Sequence, residues 1–190
     1  LTLWSNSAGG SGRIQVAENA CLSTIGTCTE VSSGKSGSIY LGGGVGAGDI
    51  PSGSVSSSND IGIRLGSADL TTGGVKILAG AGDISINGES AVFQGIRAVH
   101  PVTIKSTTGA ISLTGKTSQS DAASVYTALI FGDGQSGSRT IISSGKTSGN
   151  AISITGIRAG IQNLNGVSFA SQNTTIEATG GGNVAISALD

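Results

Sequence analysis

Residues 108–115 of this 190-residue chain read TGAISLTG, and close variants occur at residues 81–88 (AGDISING), 149–156 (GNAISITG) and 181–186 (GGNVAI). Each variant contains an apolar–small–apolar triplet, and this period of two is the pattern of a β-strand with one buried and one solvent-facing side. The Gly, Asn and Thr residues that flank the triplets are typical of tight turns. The pattern therefore predicts a short strand that recurs along the chain, bounded by turns.

Two more strand-like segments precede each of these triplets. The first starts at Gly62, Gly95, Ala128 and Gly166, at separations of 33, 33 and 38 residues, and the second comprises residues 75–77 (VKI), 102–104 (VTI), 140–142 (TII) and 175–177 (TIE). Because three strands return about every 33 residues, the sequence predicts an all-β fold, a parallel β-helix (β-solenoid) with three short strands per coil. It should be right-handed, since parallel crossovers almost always are. An antiparallel β-sandwich is the alternative that evenly spaced short strands also allow.

We interpret residues 1–190 as a single β-helix segment in two parts. Residues 61–190 contain the regular repeats, whereas residues 1–60 are expected to form irregular coils. In this first part the strand pattern occurs at residues 14–16 (IQV) and 39–41 (IYL), with an excursion from Cys21 to Cys28 between them and a Gly/Ser-rich loop at 42–59 after them. Because both ends are strand-like, we expect a segment of a longer polypeptide, and a mature product of cleavage is the alternative.

The composition excludes several classes of protein. The chain has 33 Gly but only 2 Pro, which argues against collagen, and its ten basic residues are scattered without the run that nucleic-acid binding requires. No apolar stretch is long enough for a membrane span. Charged residues make up only 11% of the chain and the net charge is -1. We attribute the low charge to stacking, because like charges on successive coils would repel one another.

The two cysteines, Cys21 and Cys28, lie close together in a turn-rich segment. A disulfide between them would suit an oxidising compartment, and two unpaired thiols are the alternative. His100 is the only histidine, so two Cys and one His cannot complete a four-ligand zinc site. We therefore expect no metal and no cofactor.

Several glycine-rich runs resemble the repeats of filamentous-haemagglutinin-type bacterial exoproteins: residues 72–77 (TGGVKI), 82–88 (GDISING) and 179–186 (TGGGNVAI), together with the opening LTLWSN. The resemblance implies a right-handed β-helix that forms a long rod in a surface adhesin, secreted by the two-partner or autotransporter route. It implies an extracellular or cell-surface location, roles in adhesion, biofilm or matrix formation, and no enzymatic activity in the rod.

The predicted function is that of an extracellular structural or adhesive β-solenoid. The expected partners are a host or neighbouring cell surface, glycans or a matrix polysaccharide. Trp4, Tyr40 and Tyr126 are the candidate glycan contacts, because exposed aromatic side chains stack on sugar rings. The loops at Cys21–Cys28 and 42–59 are the candidate partner surfaces. Open solenoid ends expose unpaired strand edges, so end-to-end self-association into filaments is also expected.

A carbohydrate-binding or carbohydrate-active β-helix domain is the alternative function. Enzymes that cleave polysaccharides need two or three carboxylates on adjacent coils as general acid, base or nucleophile. Asp69, Asp83, Asp121 and Asp133 fall at different phases of the repeat. No carboxylate column is therefore expected, and the chain is predicted not to be an enzyme.

Overall fold

The structure is a computed structural model that describes residues 1–5, 13–26, 28, 36–43, 55–56, 61–66, 74–90, 93–99, 101–117, 127–132, 139–158 and 166–189. Within these ranges the chain forms strands and no helix. The strands are β1 (Thr2–Ser5), β2 (Ile14–Val16), β3 (Cys21–Ser23), β4 (Ile39–Gly43), β5 (Val55–Ser56), β6 (Ile63–Leu65), β7 (Val75–Ala79), β8 (Ile84–Ser90), β9 (Ile96–Ala98), β10 (Val102–Ser106), β11 (Ile111–Thr117), β12 (Leu129–Phe131), β13 (Arg139–Ser144), β14 (Asn150–Arg158), β15 (Val167–Phe169), β16 (Asn173–Ala178) and β17 (Asn183–Leu189).

These strands form three sheets, and every pairing between the described strands is parallel. The short-strand sheet has the order β15-β12-β9-β6-β2, the middle sheet β16-β13-β10-β7-β3, and the long-strand sheet β1-β4-β8-β11-β14-β17, with β5 beside the end of β8. Along the chain, each coil therefore visits the short-strand, middle and long-strand sheets in turn. The fold is the predicted right-handed parallel β-helix and not the antiparallel β-sandwich.

The described strands form five coils, which we number from the N-terminus: β2–β4, β6–β8, β9–β11, β12–β14 and β15–β17, with β1 preceding them in the long-strand sheet. The predicted columns are present in two sheets. In the long-strand sheet Ile86, Leu113, Ile154 and Ile186 lie in one column. In the short-strand sheet the column is Ile63, Ile96, Leu129 and Val167, with separations of 33, 33 and 38 residues.

The sequence alignment was wrong at two places in the middle sheet. Thr174 pairs with Thr140 and Ile176 with Ile142, so the last triplet of this sheet is 174–176 rather than 175–177. The consecutive threonines there carry no apolar–polar alternation that could define the phase. The segment Cys21–Ser23, interpreted as part of an excursion, is a strand of the middle sheet, and its Leu22 lies beside Ile77.

The core fills the space between the three sheets. In β8, β10 and β11 alternate residues are buried, and the side chains that point inward are Ile, Val and Leu at the start of each strand. Fully burying one such side chain contributes roughly 1.5–3 kcal/mol. The inward aliphatic side chains of the three sheets form one cluster that continues through successive coils.

Short turns join the middle sheet to the long-strand sheet from the second coil onward, and buried serines connect the turns of successive coils. The Ser106 hydroxyl donates to the carbonyl of Gly82 in the preceding coil (2.8 Å) and accepts the N–H of Gly109 (2.9 Å). Ser144, one coil later, donates to the carbonyl of Gly109 (2.8 Å). A Cβ at Gly109 would overlap the Gly82 carbonyl, so glycine is required for this close approach.

Candidate functional site

The outer face of the long-strand sheet is a regular polar surface. The outward positions form two rows that run along the stack: Tyr40, Ser85, Ser112, Ser153 and Ala185 in the first row, and Asn87, Thr114, Thr155 and Ser187 in the second. Neighbouring strands of a sheet lie about 4.8 Å apart. The surface therefore presents small hydroxyl and amide groups at a constant spacing over successive coils.

Some of these polar groups contact one another within the rows. The hydroxyls of Thr155 and Ser187 lie 3.2 Å apart on neighbouring coils, and the Asn87 amide donates to the Ser85 hydroxyl (3.3 Å). Near the C-terminal ends of β11 and β8, Lys116 Nζ and Glu89 Oε1 form an ion pair at 2.8 Å. The face can exchange hydrogen bonds with the hydroxyl groups of a ligand, since each hydroxyl can both donate and accept.

Tyr40 is the aromatic candidate that the structure places at this surface. It is half-buried and lies between Thr2 and Ser85 at the N-terminal end of the first row. The inward neighbours Ile39 and Leu41 are buried, which directs the Tyr40 ring outward. The Trp4 side chain, Tyr126 and residues 44–54 of the Gly/Ser-rich loop lie outside the described part of the structure.

The disulfide loop lies against the outer face of the middle sheet. Cys21 and Cys28 are joined by a disulfide, with Cα atoms 6.1 Å apart. Lys76, the neighbour of Cys21 in the second coil, donates from its Nζ to the Cys28 carbonyl (3.0 Å). Ile25 inside the loop is buried, as is Leu78, although both lie outside the main core.

These contacts explain how the loop is held. The N–H of Thr24 donates to the Leu78 carbonyl (3.1 Å), and the Thr24 hydroxyl donates to the carbonyl of Gly37 (2.9 Å). Leu78 points away from the core because the alternating neighbours Ile77 and Ala79 point inward. Among the described residues, the disulfide and three hydrogen bonds therefore hold the loop against the first and second coils.

The outer face of the short-strand sheet carries a column that the sequence analysis did not single out. Its outward residues are, in order along the stack, Gln15, Arg64, Arg97, Ile130 and Ser168. Two arginines are thus direct neighbours. The signal was present in the sequence, because Arg64 and Arg97 occupy the same place in segments that start 33 residues apart.

Four acidic side chains lie in the described part of the structure. Within the described ranges they are Glu18, Asp83, Glu89 and Glu177, and no strand pairing places two of them opposite each other. Asp83 accepts the N–H of Ala110 (2.7 Å). Asp69, Asp121 and Asp133 lie outside the described residues, as does His100.

Within the described residues, no group of three or more His, Cys, Asp or Glu side chains could hold a metal ion. In the same part of the chain, no helix has the length and hydrophobicity to cross a membrane. No protein-family model, no curated protein and no solved structure matches this chain.

Proposed function

We propose that this chain is a structural and adhesive β-solenoid segment of an extracellular bacterial surface protein, of the filamentous-haemagglutinin type, and that it is not an enzyme. The observation that carries the proposal is the outer face of the long-strand sheet, where hydroxyl and amide side chains repeat from coil to coil. A surface with a constant repeat suits a partner that itself repeats, such as a matrix polysaccharide or a glycan-covered cell surface.

Two further features support this proposal. The Cys21–Cys28 disulfide is of a kind that persists in oxidising compartments such as the cell exterior. Tyr40 stands at one end of the first hydroxyl row, and a ring beside hydroxyl groups is a common arrangement for holding a sugar, whose faces are apolar and whose edges are polar. Glycan binding is therefore the form of adhesion that we favour.

The test is to measure retention of the purified chain on immobilised dextran, mannan and polygalacturonate. In a double variant, Ser112→Asp and Ser153→Asp place two carboxylates on the long-strand face without entering the core. We expect the parent to bind at least one of the three polymers and the variant to lose that binding. The two introduced carboxylates are costly to remove from water, and they repel each other.

The matched control is Thr103→Asp, which adds a carboxylate at an outward position of the middle sheet. Its binding should equal that of the parent. A parent that binds none of the polymers, or equal losses in control and variant, would contradict the proposal. Release of shortened sugar chains from a bound polymer would replace it with the carbohydrate-active alternative.

A further inference from the structure

The disulfide loop, Cys21–Cys28, begins in a strand and ends at the surface. Cys21 is the first residue of β3 and is half-buried, whereas Cys28 is exposed. Gly26 between them has a φ of 82°, a left-handed conformation typical of a tight turn. Cys28 is therefore the half of the disulfide that a dissolved molecule meets first.

The noncovalent contacts of the described residues become weaker along this loop. Thr24 makes two hydrogen bonds to residues outside the loop, whereas the N–H of Ile25 donates to the Ser23 hydroxyl, two residues earlier (3.1 Å). At Cys28 the carbonyl accepts a hydrogen bond from the long side chain of Lys76 (3.0 Å). Ordering one residue costs about as much free energy as one hydrogen bond contributes. The disulfide is therefore the main restraint on the far half of the loop.

A positive charge lies beside this disulfide. Lys76 is the strand neighbour of Cys21 in the second coil, and its Nζ lies 3.0 Å from the carbonyl oxygen of Cys28. An ammonium group close to a cysteine stabilises the thiolate. Because a disulfide is reduced faster when its leaving thiolate is stabilised, Lys76 favours reduction at this place.

Opening of the loop changes the character of the surface below it. Leu78 is buried although it points to the outer side of the middle sheet, where its neighbour in the third coil is the polar Lys105. On the first coil Leu78 is paired with Ser23, and its carbonyl accepts the N–H of Thr24. Ile25 in the loop is also buried and lies outside the main core. A loop that leaves the sheet brings Ile25 into water and uncovers Leu78.

We propose that the Cys21–Cys28 disulfide is a redox-sensitive site, and that its reduction by a dithiol opens the loop and exposes Ile25 and Leu78 on the middle sheet. The coils stay folded during this change, because neither apolar side chain belongs to the main core. The proposal is independent of glycan binding, which concerns the outer face of the long-strand sheet.

The reaction is a thiol–disulfide exchange in two steps. A thiolate of the reductant attacks the Cys28 sulfur, the bond between the two cysteines breaks, and its electron pair leaves on the Cys21 sulfur beside the Lys76 ammonium group. The second thiolate of the reductant then attacks the mixed disulfide and releases Cys28. The dithiol is oxidised to a disulfide by two electrons, and its two protons pass through water to the thiols of Cys21 and Cys28.

The experiment treats the purified, folded chain with dithiothreitol at constant pH and follows amide hydrogen exchange. Reduction should make the Thr24 and Ile25 amides exchange at least about tenfold faster, because a disulfide commonly contributes more free energy than a tenfold change represents. The amides of Ile104 and Leu113 in the third coil should keep their rates. A dye that fluoresces on apolar surfaces should bind the reduced chain better, and Leu78→Ser should remove most of that gain.

Three further variants separate the covalent bond from the charge. A double variant, Cys21→Ser and Cys28→Ser, should show the open loop without any reductant. Lys76→Gln should slow reduction about threefold at low salt, and Lys76→Arg should restore the rate of the parent, since the charge returns. Lys105→Gln is the matched control and should be reduced like the parent, because Lys105 lies on the same face but is paired with Leu78 and Ser143.

Unchanged protection of Thr24 and Ile25 after reduction overturns the inference, as does a disulfide that the dithiol reduces only in unfolding concentrations of urea. Loss of protection throughout the third coil also overturns it, because the disulfide would then stabilise the whole stack instead of closing a loop. Equal reduction rates of Lys76→Gln and the parent would overturn the role assigned to Lys76.

Discussion

The fourth and fifth coils have the same architecture but very different exposure. Ile154 in the fourth coil is 0% exposed, whereas Ile186, its neighbour in the same column, is 49% exposed. Phe131 is 0% exposed and Phe169, directly beside it, is 36% exposed. The two rings stack with centroids 5.5 Å apart, so Phe169 covers Phe131 while its own outer side stays bare.

Inward side chains are therefore buried by the neighbouring coils and not by their own coil alone. One coil directs its aliphatic side chains inward, but they lose contact with water only when neighbouring coils lie on both sides. The opposite end is different, because Ile14 and Val16 are buried although β2 is the outermost strand of its sheet. The two ends of the solenoid are therefore not equivalent, and end-to-end self-association stays a prediction.

The largest effect is expected in the long-strand column, where Ile154 and Ile186 occupy equivalent positions in neighbouring coils. Ile154→Ala should lower the free energy of unfolding by about 2–5 kcal/mol, because it leaves a cavity between two coils. Ile186→Ala should cost less than about 1 kcal/mol, because half of the side chain is already in water. Urea denaturation of both variants measures the difference. Equal losses would mean that the fifth coil is buried in solution by something beyond the contacts described above.

A smaller effect is expected at the turn between the middle and long-strand sheets. Ser144 is buried and hydrogen-bonded to Gly109 and Lys146, whereas the same column position in the fifth coil is Ala178. Ser144→Ala should cost about 1–3 kcal/mol, because it leaves the Gly109 carbonyl without this donor. Ala178→Ser should change stability by less than about 0.5 kcal/mol, since surface changes usually do. If Ser144→Ala were equally neutral, the serine would not connect the coils.

The smallest effect on stability is expected for an ion pair on the outer face of the long-strand sheet. The Glu89–Lys116 ion pair is partly exposed, with Lys116 at 40% and Glu89 at 26%. Glu89→Gln should therefore cost less than about 1 kcal/mol, and less in high salt, because solvent and ions screen the pair. Thermal unfolding at low and high salt tests this, with Lys105→Gln as the control because Lys105 faces uncharged Leu78 and Ser143. A loss comparable to that of Ile154→Ala would show that outer contacts matter as much as the core.

Most of the fold could be predicted where apolar and small residues alternate. The triplets around Ile86, Leu113 and Ile154 fall in register because each is bounded by glycine-containing turns of similar length. The strand at Cys21–Ser23 was missed because its three residues do not alternate, and its place in the middle sheet depends on pairing with Lys76–Leu78, more than fifty residues away. Local pattern cannot identify a strand that is defined only by its partner.

The candidate site was less predictable than the fold. Tyr40 could be placed on an outer face from its position between two aliphatic residues. The disulfide loop could be suspected from the cysteines, but its contact with Leu78 and Lys76 brings together residues that are distant in the chain. The neighbouring positions of Arg64 and Arg97 could have been predicted from the alignment of their segments, but the sequence analysis used only the glycines and aliphatic residues of that alignment.

The order of residues alone was sufficient to predict the repeat of the regular coils, their three strands and, outside the last strand of the middle sheet, the direction in which the side chains of those strands point. These are local properties, set by the two-residue period of a strand and by the turn residues between strands. Stacking in three dimensions decided which side chains are buried, where Ser144 finds its acceptor and which charges face each other. Those properties depend on neighbours one coil away, and a single coil carries no information about what lies above or below it.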